Sequence, residues 1–157
     1  MATGDAHRRE ELRGLVAGAI DEHVAVVHRT VGHHDAAVVA QHLPRRLLGA
    51  TVQDPVHHAE GDVWTHTGMV HGEVMAAGLG TSHVLAALYH DVAKPQTRTE
   101  VLGADRMHVS HPGHSRLGAQ MMWRDLWQHG VGDLESLLEA YWMSRWHQRV
   151  FHLWSQE

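Results

Sequence analysis

The chain has 157 residues, which suits one domain with a single hydrophobic core. Its 43% hydrophobic and 20% charged residues are an ordinary globular balance, and the net charge of −5 excludes a bulk attraction to nucleic acid. The absence of cysteine excludes disulfides and thiolate metal sites. No apolar run is long enough to span a membrane, and the polar N-terminus lacks a signal-peptide core, so we expect a cytoplasmic protein.

Apolar residues at helical spacing predict six helices, over about 7–29, 35–43, 60–77, 84–92, 113–129 and 133–151. Residues 1–6 are expected to be a flexible end. Ser82 is expected to cap the fourth helix and Pro95 to close it. No strand-like alternation is longer than four residues, so we predict an all-α, single-domain helical bundle over 7–157. Residues 95–113 form a long connection, which makes them a candidate functional segment.

Histidine is the outlier of the composition, with 18 residues. A site for one or two metal ions uses only about four to six ligands, so most of these histidines must lie at the surface. Five are assigned to the surface, namely His57, His71, His83, His129 and His152. Most Trp and Met residues fall at helical spacing and are expected to pack in the core. The apolar C-terminal residues favour a homodimer or a partner domain if they form an exposed patch.

The strongest chemical signal is the pair His90-Asp91, which ends an apolar helix and is followed one turn later by Lys94. Further histidines lie on the neighbouring predicted helices, each separated from the next by about one helix and a connection. Helices of a bundle could therefore direct five side chains to one centre, namely His66, His90, Asp91, His114 and His147. A set of N and O ligands suits Mn, Fe, Co, Ni, Zn or Mg, and a carboxylate can bridge two cations.

Several of these residues also have a plain structural interpretation. The second His-Asp pair, His34-Asp35, has no apolar run before it and no Lys after it, and is interpreted as a helix start. The pair at 90–91 could be a helix C-cap with a surface carboxylate, and His66 could bond a backbone carbonyl.

The other candidates have alternatives too. His108 and His111 compete with His114, which is preferred because of the residues that follow it. His147 could simply pack in its Trp-rich helix, and Lys94 could be a solvated lysine.

Four blocks lie in order within about residues 50–151: HAEGDVWTHT at 58–67, LYHDVAKPQT at 88–97, GHSRLGA at 113–119 and HQ at 147–148. Together they resemble the HD superfamily of metal-dependent phosphohydrolases. The resemblance is closest to the HD domains found beside tRNA nucleotidyltransferases and in proteins that combine an HD domain with a polynucleotide kinase.

The resemblance implies a role for each matched position. His66, His90, Asp91, His114 and His147 would hold one or two divalent transition metal ions, with Asp91 as the bridge and Mg as a further option.

Other matched residues would act on the substrate. Lys94 would contact a phosphate oxygen and stabilise the charge of the transition state. His58 and Arg116 resemble phosphate-contacting positions, and Asp62 or His58 could move protons.

One departure from the family concerns the closing ligand, which is usually an Asp on a later helix. The ten residues after His147 contain no Asp. The chain could stop before that ligand, work without it, or receive it from another chain.

Three functions therefore stand as hypotheses. The first is metal-dependent hydrolysis of a phosphoester in a small molecule, a nucleotide or an RNA end, including a 2′,3′-cyclic phosphate, with a homodimer or a kinase-type domain as partner. The second is an HD-type di-iron oxygenase. The third is a catalytically impaired HD module with a binding or regulatory role.

Overall fold

The computed structural model describes Val39 and residues 43–149. Their elements are α1 (Arg45–Gly49), α2 (Val63–Ala76), α3 (Thr81–Tyr89), α4 (Lys94–Thr97), β1 (Thr99–Leu102), β2 (Met107–Ser110), α5 (His114–Gln128) and α6 (Leu134–Trp146). The four helices predicted in this region are confirmed as α2, α3, α5 and α6. The helix predicted at 7–29, most of the one at 35–43, the pair at 34–35 and the residues after 149 lie outside the described part.

Side-chain caps mark the starts of two long helices. Asp62 accepts a hydrogen bond from the Thr65 backbone N–H at 2.9 Å and so caps α2. Asp133 caps α6 in the same way. The predicted cap at Ser82 is wrong, because α3 begins at Thr81, three residues before the predicted start at 84, and its N-cap Gly80 provides no side chain.

Helix α3 lies at the centre of the core. All residues from Val84 to Tyr89 are buried, as expected for a helix that is apolar on every side. It packs against α2 and α6, and α5 packs against α6. Met122 and Leu126 of α5 and Leu137 and Ala140 of α6 complete the same apolar cluster.

A close approach brings α5 to the end of α3. A Cβ atom at Gly118 would lie 3.4 Å from the carbonyl oxygens of both Tyr89 and His90. A glycine therefore allows the helix to pass directly beside the end of α3. Since His114 precedes Gly118 by about one turn, this contact also brings His114 near Asp91.

The described chain is mostly helical, as predicted, but it also contains a small two-stranded sheet that the prediction lacked. Strands β1 and β2 form an antiparallel hairpin with Thr99 opposite Ser110 and Leu102 opposite Met107. Every residue of β1 is exposed. Because neither face of such a hairpin is buried in a core, its sequence needs no alternation of apolar and polar residues, and the pattern gave no warning of it.

Asp54 anchors this hairpin to the loop before α2. Its two carboxylate oxygens accept hydrogen bonds from the Arg106 guanidinium at 2.9 and 3.1 Å. The backbone N–H groups of Val56 and Val109 also donate to it, at 3.0 and 3.4 Å. The Arg106 bonds, helped by these N–H groups, hold the pKa of Asp54 well below its usual range.

Two expectations about burial are corrected. His71 was assigned to the surface but is 1% exposed, since its side of α2 faces the interior. Trp127 and Trp142 were assigned to the core but expose more than half of their surface. In the described part of the chain, no helix is both long enough and apolar enough to span a membrane.

Neighbouring leucines of α6 give a test of the core. Leu137 is 2% exposed, whereas Leu138 is 41% exposed. We expect Leu137→Ala to lower the free energy of unfolding by about 2–5 kcal/mol, because it removes buried methyl groups and leaves a cavity. Leu138→Ala is the matched control and should change it by no more than about 0.5 kcal/mol. Urea denaturation measures both, and equal effects would contradict this packing.

The Asp54 anchor predicts an acid-dependent loss of stability. A carboxyl group whose folded pKa is lowered stabilises the fold above its unfolded pKa of about 4, and that stabilisation is lost as the pH falls toward the folded value. The free energy of unfolding of Asp54→Asn should therefore depend less steeply on pH below about pH 4 than that of the wild type. Urea denaturation across this range is the measurement. Glu73→Gln, on an exposed position of α2, serves as control, and identical slopes for all three proteins would contradict the prediction.

Candidate metal centre

The pair His90-Asp91 lies where α3 ends. His90 occupies the C-cap position with helical backbone angles, and Asp91 follows it in the turn toward α4. The side chain of Asp91 is only 1% exposed, so it is not a surface carboxylate. A buried carboxylate needs compensating partners, because its transfer from water is costly.

Histidine rings face both carboxylate oxygens of Asp91. On one side, Oδ2 lies 3.1 Å from His90 Nε2 and 3.7 Å from His66 Nε2. On the other, Oδ1 lies 3.2 Å from His114 Nε2 and 3.7 Å from His147 Nε2. We call the Oδ2 group with His66 and His90 subsite 1, and the Oδ1 group with His114 and His147 subsite 2. In each group, the potential ligand atoms all lie within 4.8 Å of one another.

Three of the four rings are oriented by the backbone of their own turn. In each, Nδ1 lies 2.6–2.8 Å from the carbonyl oxygen three residues earlier. The pairs are His90 with Ala87, His114 with His111, and His147 with Ser144. A carbonyl oxygen only accepts, so Nδ1 carries the hydrogen in each ring, and Nε2 is the nitrogen that faces Asp91.

The fourth ring is oriented by a side chain. His66 Nδ1 lies 2.6 Å from Glu60 Oε1, and His58 Nδ1 lies 3.0 Å from the same oxygen. The carboxylate therefore accepts a hydrogen bond from His58 and makes an ion-pair contact with His66 Nδ1, and His66 Nε2 faces Asp91. Carboxylate–histidine contacts of this kind commonly orient metal ligands.

Nitrogen and oxygen atoms converge inside this cluster. His114 Nε2 and His147 Nε2 are 3.3 Å apart, and both face Asp91 Oδ1. Both oxygens of Asp91 and Nε2 of His90 are buried, and Oδ2 is paired with the Lys94 ammonium group. A divalent metal ion would be contacted from several sides by these buried His and Asp atoms, which therefore fit such an ion.

The pKa shifts of Asp91, His66 and His147 agree with ligand behaviour, whereas the Asp91 carboxylate shifts His90 toward its protonated form. Burial lowers the pKa of His147 to about 4, and the nearby His90 adds to the effect. Burial also lowers the pKa of His66. Burial opposes charge on His90, but the Asp91 carboxylate outweighs it and raises the pKa of His90. Burial alone would raise the pKa of Asp91, yet the surrounding histidines and Lys94 hold it well below its usual range. Asp91 is therefore ionised, as a metal ligand must be.

Lys94 is the only lysine of the sequence, and it is 3% exposed. Its Nζ lies 2.8 Å from Asp91 Oδ2 as an ion pair. Nζ also donates to the side-chain oxygen of Gln53. The ammonium group is thus directed into the cluster and not toward solvent. Nothing in the sequence pattern indicated Gln53 as its partner.

The remaining predicted residues lie at the margin of the centre. The ring of His58 is 4.8 Å from that of His66. Arg116 is exposed on the first turn of α5, two residues after His114. Asp62 is engaged as a helix cap, with both oxygens bonded to Thr65, and it belongs to none of the metal-capable groups of the described chain.

The competing histidines and the closing acid can also be placed. His111 donates through Nδ1 to the Lys94 carbonyl at 2.9 Å, while His108 faces Asp105 and Asp54. Among the described residues, no acidic residue of α5 or α6 joins a metal-capable group. Glu60 is the acid that sequence reasoning overlooked as a partner of His66, although it stands two residues after His58 in the first block.

No protein-family model matches the chain, and no solved structure matches it. Among curated proteins, a multifunctional CCA protein of Halorhodospira halophila (strain DSM 244 / SL1) is 37% identical over 84 residues. The match covers 53% of this chain and 19% of that protein. The matched segment therefore spans about a fifth of the length of this relative.

Removal of the shared carboxylate should abolish metal binding. We expect Asp91→Ala to weaken Mn²⁺ binding by at least about 100-fold, because both subsites lose their anionic ligand. Isothermal titration of the metal-free protein is the measurement. Asp105→Ala, which removes an exposed carboxylate of the hairpin loop, should bind as the wild type does. Unchanged binding in Asp91→Ala would contradict this centre.

Proposed function

We propose that this chain is a metal-dependent phosphohydrolase that acts on a phosphoester of a nucleotide or an RNA end, including a 2′,3′-cyclic phosphate. The observation that carries the proposal is the buried Asp91 carboxylate with two histidine Nε2 atoms at each oxygen. Clusters of two divalent ions bridged in this way are suited to phosphoester hydrolysis.

The similarity to a multifunctional CCA protein suggests a nucleotide- or RNA-related function. It supports the substrate class of the proposal and not the reaction itself. The matched segment is a small part of that relative, so the reaction proposed here rests on the cluster and on the resemblance to HD domains.

Divalent metal in this cluster would polarise a phosphoryl oxygen and increase the acidity of water. The chain's own residues would organise the site around that chemistry. Asp91 supplies the shared anion, and Lys94 keeps that carboxylate ionised from a buried position. Glu60 orients His66 through its contact with Nδ1.

The less buried residues of the site would contact the substrate. The side chain of His58 is 25% exposed and adjoins His66, so it can exchange a proton with a substrate or leaving group. Arg116 is exposed beside the start of α5 and provides a cation for a phosphate.

A second candidate function is oxidative. Each subsite consists of two histidines and one carboxylate, which is also the ligand set of non-haem iron oxygenases. Under this alternative, the purified protein would contain iron and consume dioxygen, and it would not hydrolyse phosphoesters.

The proposed activity is tested with bis(p-nitrophenyl) phosphate and a nucleoside 2′,3′-cyclic phosphate, in the presence of Mn²⁺, Ni²⁺ or Co²⁺. We expect Asp91→Ala to lower kcat/KM by at least about 100-fold, and His58→Ala to lower it by about tenfold or more. His57→Ala, next to His58 but fully outside the cluster, is the matched control and should retain the wild-type rate.

Equal rates for the wild type and Asp91→Ala would contradict the proposal. Metal binding without turnover of either substrate would instead favour the third hypothesis, a module that binds but does not catalyse. Iron content and oxygen uptake, measured on the same samples, distinguish the oxidative alternative from hydrolysis.

A further inference from the structure

The two oxygens of Asp91 have different surroundings. Oδ2 has the Lys94 ammonium group at 2.8 Å, in addition to His66 and His90. Oδ1 faces His114 and His147, and among the ion pairs of the described residues no Lys or Arg reaches it. One half of the candidate centre therefore already contains a fixed positive charge.

Lys94 cannot easily leave this position. It is 3% exposed and is held on a second side by the Gln53 side chain, which is 1% exposed. A divalent ion in subsite 1 would lie close to its ammonium group. Coulomb repulsion falls with distance and is strong where water is excluded, so it acts mainly on subsite 1.

The rings of subsite 2 are also held more firmly than the His66 ring of subsite 1. Both rings of subsite 2 are oriented by backbone carbonyls of their own helical turns. In subsite 1, the orientation of His66 depends on Glu60, a side chain that is 15% exposed and also engages His58. Ligands fixed by the backbone lose less freedom on binding an ion than a ligand held by a partly exposed side chain.

The two rings of subsite 2 also lie close together. His114 Nε2 and His147 Nε2 are 3.3 Å apart and both face Oδ1, so one ion could contact all three atoms. An ion there would meet no Lys or Arg among the described ion pairs of Oδ1, whereas an ion in subsite 1 would lie beside the Lys94 ammonium group.

We propose that subsite 2 binds the first divalent ion, and that Lys94 serves as a resident cation of subsite 1 which lowers its affinity for a second ion. This inference rests on the metal binding of the proposed function and describes how that centre is loaded. At limiting metal, the protein would hold one ion on Oδ1 and the Lys94 ammonium group on Oδ2. Only higher metal concentrations would fill both subsites.

The order of loading is tested by isothermal titration of the metal-free full chain with Mn²⁺, without any substrate. We expect one tight ion and a second ion bound at least about tenfold more weakly. His147→Gln should lose the tight ion. His66→Gln should keep the tight ion and lose the weak one.

Lys94→Met tests the cause, because it keeps the length of the side chain and removes its charge. The affinity for the second ion should increase by about tenfold or more, with the first ion unchanged. Arg124→Met removes the same charge from the exposed side of α5 and should alter neither. If Lys94→Met does not fold, the two histidine variants still decide the order, since both retain Lys94.

The inference is overturned if His66→Gln loses the tight ion while His147→Gln keeps it, if the wild type binds two ions equally, or if a folded Lys94→Met leaves the second affinity unchanged. Absence of any Mn²⁺ binding by the wild type would contradict the proposed function as well. Ions bound in the expected order by a protein without phosphoesterase activity would contradict the proposed function alone.

Discussion

The burial of one carboxylate governs this structure. Asp91 is ionised and 1% exposed, a state that is stable only when neighbouring groups compensate its charge. Four histidines and one lysine do so, and they come from α2, from the end of α3 and the turn after it, and from the ends of α5 and α6 that face that turn. The packing of these helices therefore also determines the geometry of the candidate centre. The close passage of α5 at Gly118 shows this directly, since the same contact that completes the core also brings His114 to Asp91.

The centre is more asymmetric than its ligand list suggests. Both sides offer two imidazoles and one carboxylate oxygen, yet only one side includes the buried lysine and a ring oriented by a side chain. The two subsites therefore have the same types of candidate ligand. They differ in the fixed charge of Lys94 and in the group that contacts each Nδ1 atom.

Sequence reasoning succeeded where the pattern is local. The four long helices of the described region were located to within a few residues, and two of them begin at the side-chain caps Asp62 and Asp133. It failed at the hairpin of residues 99–110, because exposed four-residue strands require no alternation. It also failed at His71, whose burial depends on what packs against that face of α2 and not on its neighbours in the sequence.

The sequence by itself determined the kinds of candidate ligand, their order along the chain and the absence of thiolates, since composition and helical spacing are properties of the chain. The pair His90-Asp91 was already its most specific signal. Only the tertiary structure decided which oxygen of Asp91 each histidine faces, that Glu60 orients His66, and that Gln53 holds Lys94 across 41 residues of sequence. The reason is physical: local interactions set where a helix begins and ends, whereas the direction of a side chain within a cluster depends on how separate helices pack and on charges brought together by that packing.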